Sequence, residues 1–443
     1  MDKIIDNNLF NKFIRLLYVA TAIGAFTDIF DTSVVGGAST SIISSLKITT
    51  PEFGLLGSMT FVGGLFGAIS FGFLSDKIGR KRSFILTLLL FIIFELLSGL
   101  APNYDSLLVF RIIVGFAIGA DYVPAITLLS EFVEPDKRGS SFDFFWIIAN
   151  VGALVAYIIA FLLVPLGPYQ WRVLFILGVI PPVIGLVLRT KLPETPRWLA
   201  VHNRIPEAER AVDEIGLSRD NLPKYEKYIE PESKLIKPYI WGVTVPLFLV
   251  MLLNIPASGL LELTPVLLLS LHIPKSNTLL FTAGAWVTPV IIGNIVAFKL
   301  MDILGRIKMI VIGAVGLGLA LISMVIFSSH AHFNVPLMLT SLAIGGFIQS
   351  FYIPVIYSLS TELYPTEIRG IGQGISVGGI RVAGIIGILG GALLLTYYKA
   401  PGMLLAYAAI CFGATLVTVF WMGKKTETNK KELEDISARF EKD

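Results

Sequence analysis

The sequence predicts an all-α integral membrane protein: twelve transmembrane helices in two six-helix bundles related by a pseudo-two-fold axis. Three observations predict it. The 443 residues are 54% hydrophobic and only 15% charged, with a mean hydropathy of +0.77, whereas about a quarter of the residues of a water-soluble protein are charged. The apolar residues gather into runs long enough to cross a bilayer. Charged motifs at the ends of these runs recur in the second half of the chain.

At about twenty apolar residues per span, helices are expected over 13–37, 54–74, 83–101, 106–129, 140–164 and 171–190. A second set is expected over 239–271, 277–300, 309–329, 334–360, 371–396 and 401–422. Met1 to Lys12 is polar and mixed in charge, and no small-residue cleavage site follows it, so the first span reads as a retained helix and not as a signal peptide. The stretch 191–238 is rich in Pro, Glu, Arg and Lys; it cannot sit in hydrocarbon and is expected as an extramembrane connection of short helices packed under the bundles. The expected organisation is a bundle over 1–190, a cytoplasmic linker over 191–238, a second bundle over 239–422 and a polar cytoplasmic tail over 423–443.

Orientation follows from the basic residues. Lys77, Arg80, Lys81, Arg82, Lys137, Arg138, Arg306, Lys308 and Arg369 fall in one set of loops, while the opposite loops hold little beyond Lys47, Lys275 and Lys399. By the positive-inside rule the linker and both termini are cytoplasmic.

The two halves repeat each other. Asp76-Lys77-Ile78-Gly79-Arg80 follows the second span, and Asp302-Ile303-Leu304-Gly305-Arg306 follows the eighth. After the fourth and tenth spans, Glu131 and Arg138, and likewise Glu362 and Arg369, stand seven positions apart. Two matches at nearly the same offset are the mark of a fold assembled from related bundles. Asp76, Gly79, Arg80, Glu131, Arg138, Asp302, Arg306, Glu362 and Arg369 are expected to latch helix ends on the cytoplasmic side, where charges pair with one another and with helix termini.

At these residues, and over essentially its whole length, the chain resembles the major facilitator superfamily. The loop from Gly72 through Asp76 to Arg82 looks like that superfamily's signature between helices 2 and 3, and Pro193-Glu194-Thr195-Pro196-Arg197-Trp198 looks like the signature after helix 6 in its sugar-porter-like branch. The resemblance implies alternating access, with helices 1, 4, 7 and 10 lining a central cavity and helix 11 at its edge.

Function is expected at the ionisable groups deep in the spans, because each is costly there. Asp28 and Asp31 lie three residues apart in the first span, on adjoining parts of one face, which suggests a joint role. Asp121 lies ten residues before Glu131, hence roughly 15 Å into the membrane, and Arg381 lies at similar depth in span 11. A carboxyl group in a low-dielectric cavity takes up a proton readily, and an arginine offers a forked donor to a carboxylate or phosphate. Asp28, Asp31 and Asp121 are therefore expected to couple protons; the resemblance adds Arg111 to that role. Arg381, Tyr122, Asn150, Glu262, Gln349 and Tyr352 are the expected solute contacts, and Glu95 a structural residue. The helix 1 run Phe26-Thr27-Asp28-Ile29-Phe30-Asp31 resembles the phosphate:proton and aromatic-acid:proton symporters, and the surroundings of Arg381 resemble organic-ion transporters. The glutamine signatures of sugar porters in helices 5 and 7 are absent: those places read Ala149-Asn150-Val151-Gly152 and Asn254-Ile255-Pro256-Ala257-Ser258-Gly259.

The expectation is a proton-driven symporter of a small anionic metabolite, an organic acid or phosphate, with a sugar or polyol symporter, or a sensor on the same fold, as alternatives. An enzyme is not expected: His202, His272, His330 and His332 fall in or near loops, and no nucleophile–base pair is evident. The single Cys411 offers neither a disulfide nor a metal site, so no metal and no cofactor are expected. The scattered charge argues against nucleic acid, leaving solute, protons and lipid as partners of a monomer in the plasma membrane.

Overall fold

The computed structural model describes residues 7–132, 138–219, 239–329, 333–364 and 378–426, all of it helical or in short connections. The first half comprises α1 (Asn7–Leu46), α2 (Thr50–Ile78), α3 (Arg80–Leu100), α4 (Tyr104–Phe132), α5 (Arg138–Leu162) and α6 (Val164–Thr190). The second comprises α7 (Ile240–Ser270), α8 (275–304), α9 (Arg306–Ser328), α10 (335–362), α11 (378–398) and α12 (400–422). Ten helical segments among the described residues are long and apolar enough to cross a membrane. One of these, Gly378–Met422, is broken at Lys399, where φ is 62°, and so makes two spans; α4, of 29 residues, completes the expected twelve.

The helices outrun the apolar windows. α1 has 40 residues, about 60 Å at the usual rise, against about 30 Å of hydrocarbon. No proline interrupts it before Pro51, so it continues into the interfacial layers on both sides. The next helix starts on a reciprocal cap: the Glu52 backbone N–H donates to Thr49 Oγ1 at 3.4 Å, and the Thr49 backbone N–H donates to Glu52 Oε2 at 2.6 Å.

Internal symmetry shows at two levels. Gly79 and Gly305 join α2 to α3 and α8 to α9 in single-residue turns with φ, ψ of 101°, 154° and 84°, 165°, a region essentially reserved for glycine. Each glycine N–H donates to the carbonyl four residues back, Ser75 or Met301. The packing repeats as well. Pairs α1–α5, α2–α4, α3–α4 and α3–α6 are matched by α7–α11, α8–α10, α9–α10 and α9–α12; between the halves, exchanging them carries the α2–α11 contact onto α8–α5, while α1 packs on α7.

Closest is the α2–α4 crossing. A Cβ at Gly63 or Gly67 would collide with the carbonyls of Ile112 or Phe116, and one at Gly115 or Gly119 with those of Thr60 or Gly64. Two small-xxx-small ridges thus let backbones touch where lipid supplies no hydrophobic drive between helices. Below the first bundle, two short helices, Pro196–Val201 and Ile205–Glu214, follow α6. Leu192, Val212, Ile215 and Leu217 of this region pack on Phe13, Leu17 and Phe84. We call this the terminal face, because α1 begins and α12 ends there. Toward the opposite, far face, α1 is buried on all sides from Phe30 to Ile42, so the two halves are closed around it there.

Candidate functional site

Three buried ion pairs sit where charge is expensive, each at a different helix junction. The first is within the first half. Arg111, seven residues into α4, donates from Nη1 to Asp31 Oδ1 at 2.9 Å and from Nη2 to Asp31 Oδ2 at 2.5 Å. Its Nη1 also reaches Glu95 Oε2 of α3 at 2.8 Å and its Nη2 reaches Thr60 Oγ1 of α2 at 3.3 Å. The guanidinium lies over the Phe175 ring of α6, 5.2 Å from the centroid. All three charged side chains are at most 1% exposed. The forked geometry is the strong form of the interaction, and a buried guanidinium needs it to offset desolvation.

The second pair lies nearer the terminal face. Asp121 of α4 pairs with Arg189 in the last turn of α6, and accepts a hydrogen bond from Thr87 Oγ1 of α3 at 3.1 Å. Arg189 also stacks over Phe84, 4.3 Å from the ring centroid.

The third pair joins the halves. Arg381 Nη2 of α11 lies 3.4 Å from Asp28 Oδ2 of α1, and the Arg381 guanidinium sits 5.7 Å from the Phe61 ring of α2. Asp28 borders two adjoining cavities. One lies between the halves, with Thr32, Asn150, Asn254, Ser258, Gln349 and Arg381 as its polar lining. The other, more apolar, runs into the half of the bundle nearer the terminal face, past Thr21, Thr87, Phe91, Phe145 and Asp121. Trp146 and Tyr357 border both, their rings 4.7 Å apart across α5 and α10. Asn150 donates to the Trp146 carbonyl at 2.8 Å, and Gln349 Oε1 is buried without a hydrogen-bond partner among the described residues. Amides, hydroxyls and aromatic faces around one ion pair form a chamber able to grip a small polar molecule from both halves at once.

Asp28, Arg381, Asn150 and Gln349 therefore meet in one cavity. Asp31 and Arg111 meet each other, but in the cluster beside it. Asp28 and Asp31, expected to act on one face, take different partners: three residues turn the helix far enough that Asp28 looks across to α11 and Asp31 back to α4. Two expected solute contacts sit elsewhere. Tyr352 is fully buried, and its hydroxyl donates to the Leu253 carbonyl at 3.1 Å; Tyr357, one and a half turns on, faces the cavity instead. Glu262 is 1% exposed and wedged between helices of the first half. The side chains of Tyr122, Asp76, Glu131, Arg138, Asp302 and Glu362, and Arg369 altogether, lie outside the described residues.

Among the latch residues, Arg80 Nη1 donates to the Ser75 carbonyl at 3.3 Å, and Arg306 opens α9 just after the Gly305 turn. Sequence reasoning missed Glu194, whose Oε1 accepts from the Arg80 backbone N–H at 2.9 Å and so caps the N-terminus of α3 from the linker. It missed Arg189 too. The available signal was a single arginine closing the apolar run of α6, which reads as an interfacial charge until its partner is seen.

A family model described as "Sugar (and other) transporter" matches residues 17–440. The chain belongs to the sugar (and other) transporter family. Its members are membrane transporters, not enzymes. Among curated relatives of this family member, a putative metabolite transport protein of Bacillus subtilis, YwtG, is 29% identical over 95% of this chain and 93% of its own length. A D-xylose transporter of Levilactobacillus brevis is 27% identical over 95% and 94%. Among solved structures, the major facilitator superfamily proton:xylose symporter XylE, bound to 6-bromo-6-deoxy-D-glucose, superposes with a TM-score of 0.76 at 20% identity, over 97% of this chain and 100% of that one. That likeness shows the fold: two related bundles of membrane-spanning helices.

Proposed function

We propose that this transporter carries a small polar solute across the plasma membrane together with a proton, by alternating access. The observation that carries the reading is the Asp28–Arg381 pair, which bridges the halves on the wall of the chamber between them. A group binding there touches both halves, so it can favour the arrangement in which they close around it. The buried Asp31–Arg111–Glu95 cluster next to it supports proton coupling: a carboxyl group in a water-poor site can exchange its proton as access alternates. The proton gradient is the driving force in this reading, with no cofactor and a monomeric carrier. The terminal face, which bears most of the basic loop residues, is cytoplasmic.

For the solute, a sugar comes first. This reverses the order expected from sequence, where an organic acid or phosphate preceded a sugar or polyol. The printed names of the relatives favour it, and so does the chamber: Asp28 neutralises Arg381, leaving amides, hydroxyls and aromatic rings that suit a polyhydroxylated molecule. An anion is the second reading, and Arg381 favours it, because uptake of a proton by Asp28 would free the guanidinium for a carboxylate. Uptake into proteoliposomes under an inward proton gradient, comparing D-xylose, hexoses, phosphate and nicotinate, tests both. Accumulation of a sugar that collapses with a protonophore supports the first reading. Accumulation of an anion alone moves the protein to the second, and downhill movement indifferent to the gradient removes proton coupling.

A further inference from the structure

Helix α7 brings an acidic side chain from the second half into the first. Glu262 is 1% exposed. A Cβ on Gly57 of α2 would overlap its Oε1, and one on Gly36 of α1 would come within 3.0 Å of its Cα. Beside it, the Tyr157 hydroxyl of α5 donates to the Leu261 carbonyl. Three helices of the first half thus form a notch, kept open by two missing side chains, and Glu262 fills it. Its Oε1 is buried with no hydrogen-bond partner among the described residues.

Other ionisable groups surround this carboxyl. Asp31 of α1 and Arg111 of α4 are within electrostatic reach, as are the hydroxyls of Tyr157 and Tyr407. Glu95 of α3 shares Arg111 with Asp31. One guanidinium therefore meets three carboxyl groups, and its Nη1 and Nη2 are already committed to Asp31, Glu95 and Thr60. Ionised throughout, the cluster would hold three negative charges against one positive in a desolvated space, which is far costlier than protonating a carboxyl.

We infer that Glu262 is a protonation site that loads as the far face closes: its carboxylate takes a proton from the water on that side, enters the notch as the neutral acid, and returns the proton when the face reopens. The proton binds at the seam between the halves, apart from the solute chamber. Lower pH on that side therefore favours closure. The inference rests on the alternating-access reading but not on which solute is carried.

The test uses the full chain in lipid nanodiscs without solute. Spin labels on Ser44→Cys at the far end of α1 and Ser276→Cys at the start of α8, in a Cys411→Ala background, report the closed-to-open ratio between pH 5 and 8. One proton taken up on closing changes that ratio by up to tenfold per pH unit. The expected result is a ratio that rises as pH falls in the wild type and loses up to tenfold per pH unit of that dependence in Glu262→Gln, which still closes. Glu262→Met, neutral and of similar length, should lose it equally, and Gly57→Ala, which crowds the carboxyl, should favour the open form at every pH. A Glu262→Gln profile as steep as the wild type's, or a wild type indifferent to pH, overturns the inference. Absence of proton-driven uptake in proteoliposomes, with the pH-dependent closure intact, would overturn the transport reading and leave this site standing.

Discussion

Replacing Asp31 by Asn should uncouple transport while sparing the fold. The wild-type cluster sets the two direct carboxylates Asp31 and Glu95 against Arg111; the amide removes one negative charge and leaves Arg111 paired with Glu95 at 2.8 Å and Thr60 at 3.3 Å. No charge is orphaned, so the roughly 3–5 kcal/mol that follows from stripping one partner off a buried pair does not arise. Coupling is another matter. At zero membrane potential, an inward gradient of two pH units carries about 2.7 kcal/mol per proton, which a one-proton symporter converts into about 100-fold accumulation, whatever the charge of the solute. In proteoliposomes with the potential clamped, Asp31→Asn should bring that ratio to about one, while exchange of labelled for unlabelled solute stays within a few-fold of wild type. Accumulation of tenfold or more by the variant would refute the assignment. Loss of exchange and accumulation together, with an unchanged melting temperature, would place Asp31 in solute binding instead.

Arg111→Gln orphans both Asp31 and Glu95, so thermal unfolding in detergent should show a loss of several kcal/mol, and adding Asp31→Asn should recover part of it. Gly79→Ala and Gly305→Ala each force an alanine to a positive φ, at a cost of about 1–3 kcal/mol; Gly284→Ala, where an added Cβ meets nothing within 4 Å, is the control that should not lower the melting temperature. For the α6 pair, the melting temperatures of Asp121→Asn, Arg189→Gln and the double variant should give a coupling energy of about 1–3 kcal/mol, and strict additivity would show that the pair contributes nothing to the fold. In the chamber, Asp28→Asn releases Arg381, so it should raise the apparent affinity for a competing monocarboxylate severalfold in an inhibition assay, an effect that Arg381→Gln abolishes.

The architecture was legible because it is written in quantities that survive without coordinates: the length of apolar runs and a repeated Asp-x-x-Gly-Arg turn whose two glycines adopt nearly the same φ and ψ. Intramembrane charge pointed to Asp28, Asp31, Asp121 and Arg381 for the same reason, since such residues persist only with partners, and the family resemblance added Arg111. The choice of partner was not legible. Asp28 and Asp31 differ by less than a turn, yet one pairs 353 residues away and the other 80, and only the packing of α1 between α4, α7 and α11 decides which. Tyr352 and Tyr357 present the same difficulty: both are aromatic residues of the span expected over 334–360, and the break at 350–352 before Pro354 turns one into the bundle and the other toward the chamber. Arg189 was hidden by its position at a helix end, where a charge needs no partner.

The placement of the three ion pairs separates what must hold from what must give. Arg111 with Asp31 and Glu95, and Asp121 with Arg189, join helices of one half, so a rigid-body movement of the halves leaves them intact; they can gain or lose a proton without being pulled apart. Asp28–Arg381 crosses the seam. At 3.4 Å, with side chains 14% and 8% accessible, it is also the longest of the three. A pair that must break in every cycle cannot be forked and fully desolvated, because opening would then cost several kcal/mol with nothing to offset it. A pair bordering a polar chamber can instead exchange its partner for a solute hydroxyl, a carboxylate or water. Loosening it should therefore speed the carrier: Gly64→Ala, whose Cβ would sit 3.2 Å from Arg381 Nε and so displaces the guanidinium, should raise the rate of solute exchange more than it changes solute affinity. A variant that exchanged at the wild-type rate with weakened binding would show that this pair does not limit the movement of the halves.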